Sequence, residues 1–220
     1  MHIIEFAGLP GSGKSTICKQ CERSLKRSGY RATNAEVRAL MYSGIWRKLF
    51  LLRVFLYPKS WKLSVIARRT MPEVKDKAAK SWINRMQQII FLLDKYEKQG
   101  MEYALMDEGF VQFGTSICHD DYISDSILDF EREVFKIAYN GRPCRHYYID
   151  IDKEEVFRRI VERNKPGDRF LFGTKEEIMS RLDVKEKNLN KCLSLLDESG
   201  VKRIKLKGDE GIGDILQLLN

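Results

Sequence analysis

The stretch FAGLPGSGKST, Phe6 to Thr16, constrains this chain more than any other. It sets Gly8, Gly11 and Gly13 around a proline and then supplies Lys14, Ser15 and Thr16. The apolar run HIIEFAG before it reads as a strand. A helix is predicted after it, from about Lys14 to Ser28, closed by Gly29. Between a strand and a helix, the spacing G-x-x-x-x-G-K-[ST] describes a phosphate-binding loop. Glycines let successive backbone N–H groups turn inward on an anion, where side chains would obstruct them. The helix N-terminus adds its dipole to the same phosphates. Gly8, Gly11, Ser12, Gly13, Lys14, Ser15 and Thr16 are therefore the expected ATP-binding residues. Lys14 should reach the β- and γ-phosphates, and the Ser15 hydroxyl should ligate Mg²⁺.

The rest of the 220-residue chain alternates strands and helices, which implies one domain built on a mainly parallel sheet covered on both faces. Five strands are expected, in a three-layer α/β fold. After HIIEFAG comes YRATNAEV, leading out to Glu36. A long helical insertion follows over about 38–100, broken near Pro58 and Pro72. YALMDEG is the third strand, ending in Asp107 and Glu108, and CRHYYIDID the fourth. KEEVFRRIVERNKPGDRFLFG is a helix running into a basic loop, expected as a lid over about 158–174. One more long helix, the strand VKRIKLK and a short terminal helix complete the chain.

Composition narrows the class. Hydrophobic residues at 43% and charged residues at 32% fit a globular protein able to bury a core. No run approaches the roughly 18 apolar residues of a membrane span, and MHIIEFAGLPG has no signal-peptide pattern. Five scattered cysteines imply free thiols in a reducing cytoplasm. Cys18 and Cys21 form a C-x-x-C inside the first helix without a second pair at metal-ligand spacing, so they read as small buried thiols. A net charge of +8 favours anionic partners: nucleotides, nucleic acid or anionic lipid. No groove-reading motif supports nucleic acid.

The loop identifies a nucleoside triphosphate but not its fate. A GTPase switch is disfavoured, because NKPGD places Gly167 where a base-reading aspartate would stand, and DEGF fails D-x-x-G. Transfer to a small acceptor is favoured by Arg158, Arg159, Arg163, Lys165 and Arg169, five cations within twelve residues. Closing arginines stabilise the charge spread over a transferring phosphoryl group. The rival reading is an ATPase in which Asp107 orients Mg²⁺, Glu108 activates water and the helical segment moves for a partner.

These three blocks, the glycine loop, LMDEG and IDIDKEEVFRRIVERNKPGDRF, resemble the P-loop nucleoside and nucleotide kinases, the thymidylate-kinase-like group above all. The resemblance implies a five-stranded parallel sheet, a lid over the donor phosphates and a helical acceptor-binding region after strand 2. It implies that Asp107 stands near Mg²⁺ or the acceptor, and that Arg159, Arg163 and Arg169 are lid residues. This chain departs from the family in carrying Glu108 where an arginine usually follows the strand-3 acid. Acceptor identity does not transfer.

Glu36 and Arg38 fall at the expected carboxyl end of strand 2, where open α/β sheets bind ligands. Glu36 is the preferred base toward an acceptor hydroxyl, with Glu108 in reserve. The basic and apolar stretch 45–70 carries Trp46, Phe50, Phe55, Tyr57 and Trp61 among its cations. It leaves two readings open: packing of the acceptor lobe, or a peripheral contact with a membrane or protein. A homodimer is compatible with either.

Overall fold

The computed structural model describes residues 1–35, 43–72, 77–118, 121–163 and 172–198, and the backbone of 202–207. β1 (His2–Gly8), β2 (Ala32–Asn34), β3 (Tyr103–Met106), β4 (Cys144–Asp150) and β5 (Lys202–Lys207) form one sheet in the order β2-β3-β1-β4-β5. Every neighbouring pair is parallel; Ile4 stands opposite Leu105 on one side and Arg145 on the other. The central β1 is buried from Ile3 through Gly8, which is why its sequence is a nearly continuous apolar run. The chain passes to both sides of β1, so the strand order reverses at its carboxyl end, where such sheets bind ligands.

The β1 side chains divide by the two-residue period of a strand. Ile4 and Phe6 join Cys18, Cys21 and Leu25 of α1 (Lys14–Arg27) in the core on one face. The two thiols are buried as expected, and burial pushes Cys21 up to about 12. Ile3 and Ala7 face the larger core on the other side. There lie α4 (Lys77–Lys98), α5 (Phe110–Ile117), α6 (Asp125–Tyr139) and α8 (Lys175–Glu198). Full burial of a side chain such as Phe6 stabilises by roughly 1.5–3 kcal/mol.

The insertion between β2 and β3 is helical, as its sequence implies. α2 (Gly44–Phe55) gives way to α3 (Pro58–Thr70) with Pro58 at the first helical position, where its missing N–H costs nothing. Leu63 and Ala67 of α3 and Phe50 and Val54 of α2 pack in the core; Phe50 meets Phe91 of α4 edge-on at 5.8 Å. The lobe is fastened at Asp94 of α4. Its carboxylate receives the Tyr57 hydroxyl, the Lys59 ammonium at 2.7 Å and the guanidinium of Arg142 from the loop before β4. Gln87 adds hydrogen bonds to the Ser60 carbonyl at 2.9 Å and the Ser64 hydroxyl at 2.7 Å.

One element differs in extent from the sequence reading. β2 is three residues long rather than eight, an edge strand paired on one side only, and Glu36 and Arg38 beyond it lie outside the described residues. The helix after β4 is α7 (Lys153–Arg163); Lys165 and Arg169 lie outside the described residues, as does the terminal helix.

Candidate active site

The loop from Leu9 to Gly13 joins β1 to α1 at the reversal point of the sheet. Ser12 N–H donates to the Leu9 carbonyl at 3.2 Å, and the amides of Thr16 and Ile17 both donate to the Gly13 carbonyl at 3.0 Å. Gly13 caps α1 with φ +93°, a left-handed conformation that a side chain would strain. At Gly8 the need is room: a Cβ there would lie 2.9 Å from the Ile149 carbonyl of β4 and from the Ser12 hydroxyl. α1 starts with no side-chain cap hydrogen bond and no acidic residue in its first turn.

Lys14 follows at once. Its side chain folds back into the loop, and the ammonium donates to the carbonyls of Gly8 at 2.9 Å and Leu9 at 2.8 Å. The residue is 8% exposed, so its charge sits inside the turn. Ser15 and Thr16 are exposed at the helix start, and Ser12 is buried.

α7 packs directly on this loop. A Cβ on Gly11 would stand 3.3 Å from Ile160 Cγ1 and 3.7 Å from the Arg159 Cβ. Arg159 is thereby brought beside the loop, its guanidinium donating to Glu155 at 2.6 Å. Arg158 points along the solvated face and pairs with Glu155 at 2.7 Å and Glu162 at 2.5 Å. The two adjacent arginines thus separate as the helical period requires: Arg159 joins the loop, and Arg158 belongs to an exposed ion-pair row. Arg163 is exposed at the last position of α7.

Asp107 follows β3, the strand next to β1. Asn34, at the end of β2 and 3% exposed, aims its amide at Asp107 Oδ1 (3.5 Å) and at the Cys18 sulfur (3.3 Å). The ends of β2, β3 and α1 meet through that side chain. Behind them stands a residue the sequence reading passed over. Glu5, the lone acid of β1, is fully buried; it accepts the Val111 N–H at 2.9 Å and the Tyr139 hydroxyl at 2.8 Å. Its carboxyl crosses the position a side chain on Gly109 would take, with Cγ 2.5 Å from such a Cβ. Glu5 therefore pins the start of α5, three residues after Asp107. Burial raises its pKa to about 7 against the lowering effect of those hydrogen bonds. A single acid inside an apolar strand was the available signal.

Glu108 is half exposed and faces Arg85 of α4, whose Nη2 lies 4.0 Å from its carboxylate. Arg85 also lies over the Phe113 ring, 5.6 Å from its centroid. From there a cavity of about 480 Å³ runs between α2 and α4. Leu51, Val54 and Phe55 give it an apolar wall; Asn84, Arg85 and Gln88 give it polar groups. The cation facing Glu108 thus comes from α4, 23 positions earlier in the chain. Ser15 and Asp107 offer a hydroxyl and a carboxylate, hard oxygen donors of the kind Mg²⁺ takes together with substrate phosphates.

No protein-family model matches the sequence, and no curated protein does. Among solved structures, the chain is similar to deoxyadenosine kinase from M. mycoides with bound dATP. The TM-score is 0.51 at 16% identity, over 99% of this chain and 98% of that one. The same kinase with products dCMP and a flexible dCDP bound aligns at TM-score 0.45 and 14% identity, over 99% and 96% of the two chains. The α/β fold expected from the glycine loop is thus the fold observed, and it is the fold of that deoxyadenosine kinase.

Proposed function

We propose that this protein is an ATP- and Mg²⁺-dependent phosphotransferase that moves the γ-phosphoryl group to a small acceptor, a nucleoside or nucleoside monophosphate. The observation that carries the reading is the joining of two sites. A glycine loop with Lys14 inside it lies at the end of β1, and a separate half-apolar cavity beside Arg85 opens near the end of the adjacent β3. A hydrolase needs only the first of these. The fold shared with a deoxyadenosine kinase gives the second a natural occupant.

In this reading the amides of Gly11–Gly13 and the start of α1 receive the donor phosphates. Lys14 leaves its two loop carbonyls for the β- and γ-phosphates. Mg²⁺ held by Ser15 and Asp107 would neutralise charge on the phosphate oxygens. Arg159, carried on α7 against the loop, supports the charge of the transferring group, with Arg163 and Arg169 closing from the lid. Glu36 takes the acceptor proton, Glu108 being the reserve, and Arg85 orients the acceptor in its cavity.

The test is ADP release from Mg·ATP, alone and against a panel of nucleosides, nucleoside monophosphates and small alcohols, with Lys14→Ala as control. Release that requires one acceptor and disappears in Lys14→Ala is expected. Acceptor-independent release abolished by Glu108→Gln would replace the kinase by an ATPase.

A further inference from the structure

α2 buries one narrow stripe, Phe50 and Val54, one helical turn apart. At 100° per residue, Ile45, Leu49, Leu52 and Leu56 fall within about 60° of one another on the side opposite that stripe. They are 63%, 43%, 52% and 65% exposed. Lys48 and Arg53 stand on either margin of this outer stripe. The apolar surface continues into α3, where Trp61 and Val65 are exposed and the Trp61 ring packs 5.6 Å from Phe55. A helix in water with apolar stripes on opposite sides has one more than the core can cover.

Charge says what covers it. From Ser43 to Pro72 the chain holds Arg47, Lys48, Arg53, Lys59, Lys62, Arg68 and Arg69, and no aspartate or glutamate. Lys59 is paired with Asp94 at 2.7 Å. Among the described residues the other six have no carboxylate partner. A second copy of this face would set cations against cations. No described helix is long and apolar enough to cross a membrane. Leucines flanked by lysine and arginine, with tryptophan beside them, instead match a surface whose outside is anionic and whose inside is hydrocarbon.

We propose that α2 and α3 seat this protein on an anionic lipid bilayer. Ile45, Leu49, Leu52 and Leu56 enter the headgroup–acyl boundary, and Lys48 and Arg53 contact lipid phosphates on either side. Lys62, Arg68 and Arg69 strengthen the attraction from α3.

The experiment is co-sedimentation of the full chain with vesicles of phosphatidylcholine, with and without about a third phosphatidylglycerol. Binding to the anionic vesicles alone, loosened by salt, is expected. The double variant Leu49→Ser/Leu52→Ser should weaken it about tenfold or more, and so should Lys48→Gln/Arg53→Gln, with melting temperature and helix content kept because all four side chains are exposed. Trp46 and Trp61 emission should shift to the blue on anionic vesicles. Absence of binding, or equal binding to neutral vesicles, would overturn the proposal. So would a concentration-dependent dimer in sedimentation equilibrium that Leu49→Ser/Leu52→Ser dissolves, which would assign the face to a second copy.

Discussion

The guanidinium of Arg85 stands 4.0 Å from the carboxylate of Glu108, tying the long helix of the inserted lobe to the end of β3. That contact puts a cation where the proposed acceptor and donor sites meet, and both partners are partly exposed.

Arg85→Ala should raise the KM for the acceptor by about tenfold while leaving ATP affinity nearly unchanged, because it removes acceptor binding and nothing from the phosphate loop. Glu108→Gln should have a smaller effect on both. Initial-rate kinetics with each substrate varied in turn separates these outcomes. An unchanged acceptor KM in Arg85→Ala would remove that residue from the site.

Arg142 bridges Asp94 and Glu97, the latter at 2.6 Å, with its side chain 5% exposed. Burial alone would push Asp94 up, but hydrogen bonds from Arg142, Lys59 and Tyr57 hold its carboxyl below the ordinary range. Arg142→Met leaves a buried carboxylate short of a partner and should cost about 3 kcal/mol in urea unfolding. A depressed carboxyl stabilises above its unfolded pKa, and that stability is lost as pH falls through the folded value. Wild type should therefore lose more stability on acidification than Arg142→Met/Asp94→Asn.

Glu5 runs the other way. Its folded pKa of about 7 lies above the ordinary carboxyl value, so its contribution is complete in acid and is lost as pH rises from about 4.5 to 7. The loss should amount to about 3 kcal/mol. His146, buried nearby with its pKa lowered to about 3, acts in the opposite sense as pH falls below 6.5. Because His146 Nδ1 lies 3.8 Å from the Glu5 carboxylate, Glu5→Gln is compared with Glu5 in a His146→Gln background, which removes the histidine from both arms. The stability difference between the two should shift toward Glu5→Gln across pH 4.5–7, and parallel pH profiles would refute the assignment.

Glu131 of α6 is fully buried, with both carboxyl oxygens lacking a hydrogen-bond partner among the described residues. Burial, with the Glu5 charge behind it, raises its pKa well above the usual range. Glu131→Met should stabilise the protein near neutral pH by about 1–3 kcal/mol, the cost of an unsatisfied buried polar group. Gly114→Ala should destabilise, since the added Cβ would sit 2.7 Å from Glu131 Cγ and overlap the carboxyl. Glu131→Ala should recover part of that loss, a coupling readable from thermal melts of the two single variants and the double.

Legibility in the sequence followed the range of the interactions. The glycine loop was readable because its geometry falls on neighbouring residues: left-handed backbone at Gly11 and Gly13 and a lysine one position later. The strand and helix order was readable for the same reason, and so was the α2–α3 break at Pro58. The end of β2 was misjudged: the strand pairs with β3 alone, and the chain turns helical at Ala35 although β3 continues to Met106. In the basic run after β4, helical spacing already implied that adjacent Arg158 and Arg159 part; the packing of α7 decided that the Arg159 side is the one beside Gly11.

By itself, then, the sequence determined the class of fold and the glycine loop between β1 and α1, since both rest on local backbone geometry and short-period patterning. Tertiary structure alone decided that Arg85 meets Glu108, that Asn34 reaches Asp107, and that Glu5 holds the helix that follows. Each of these joins residues 23 to 106 positions apart in the chain, through strand register and helix packing that no local window contains.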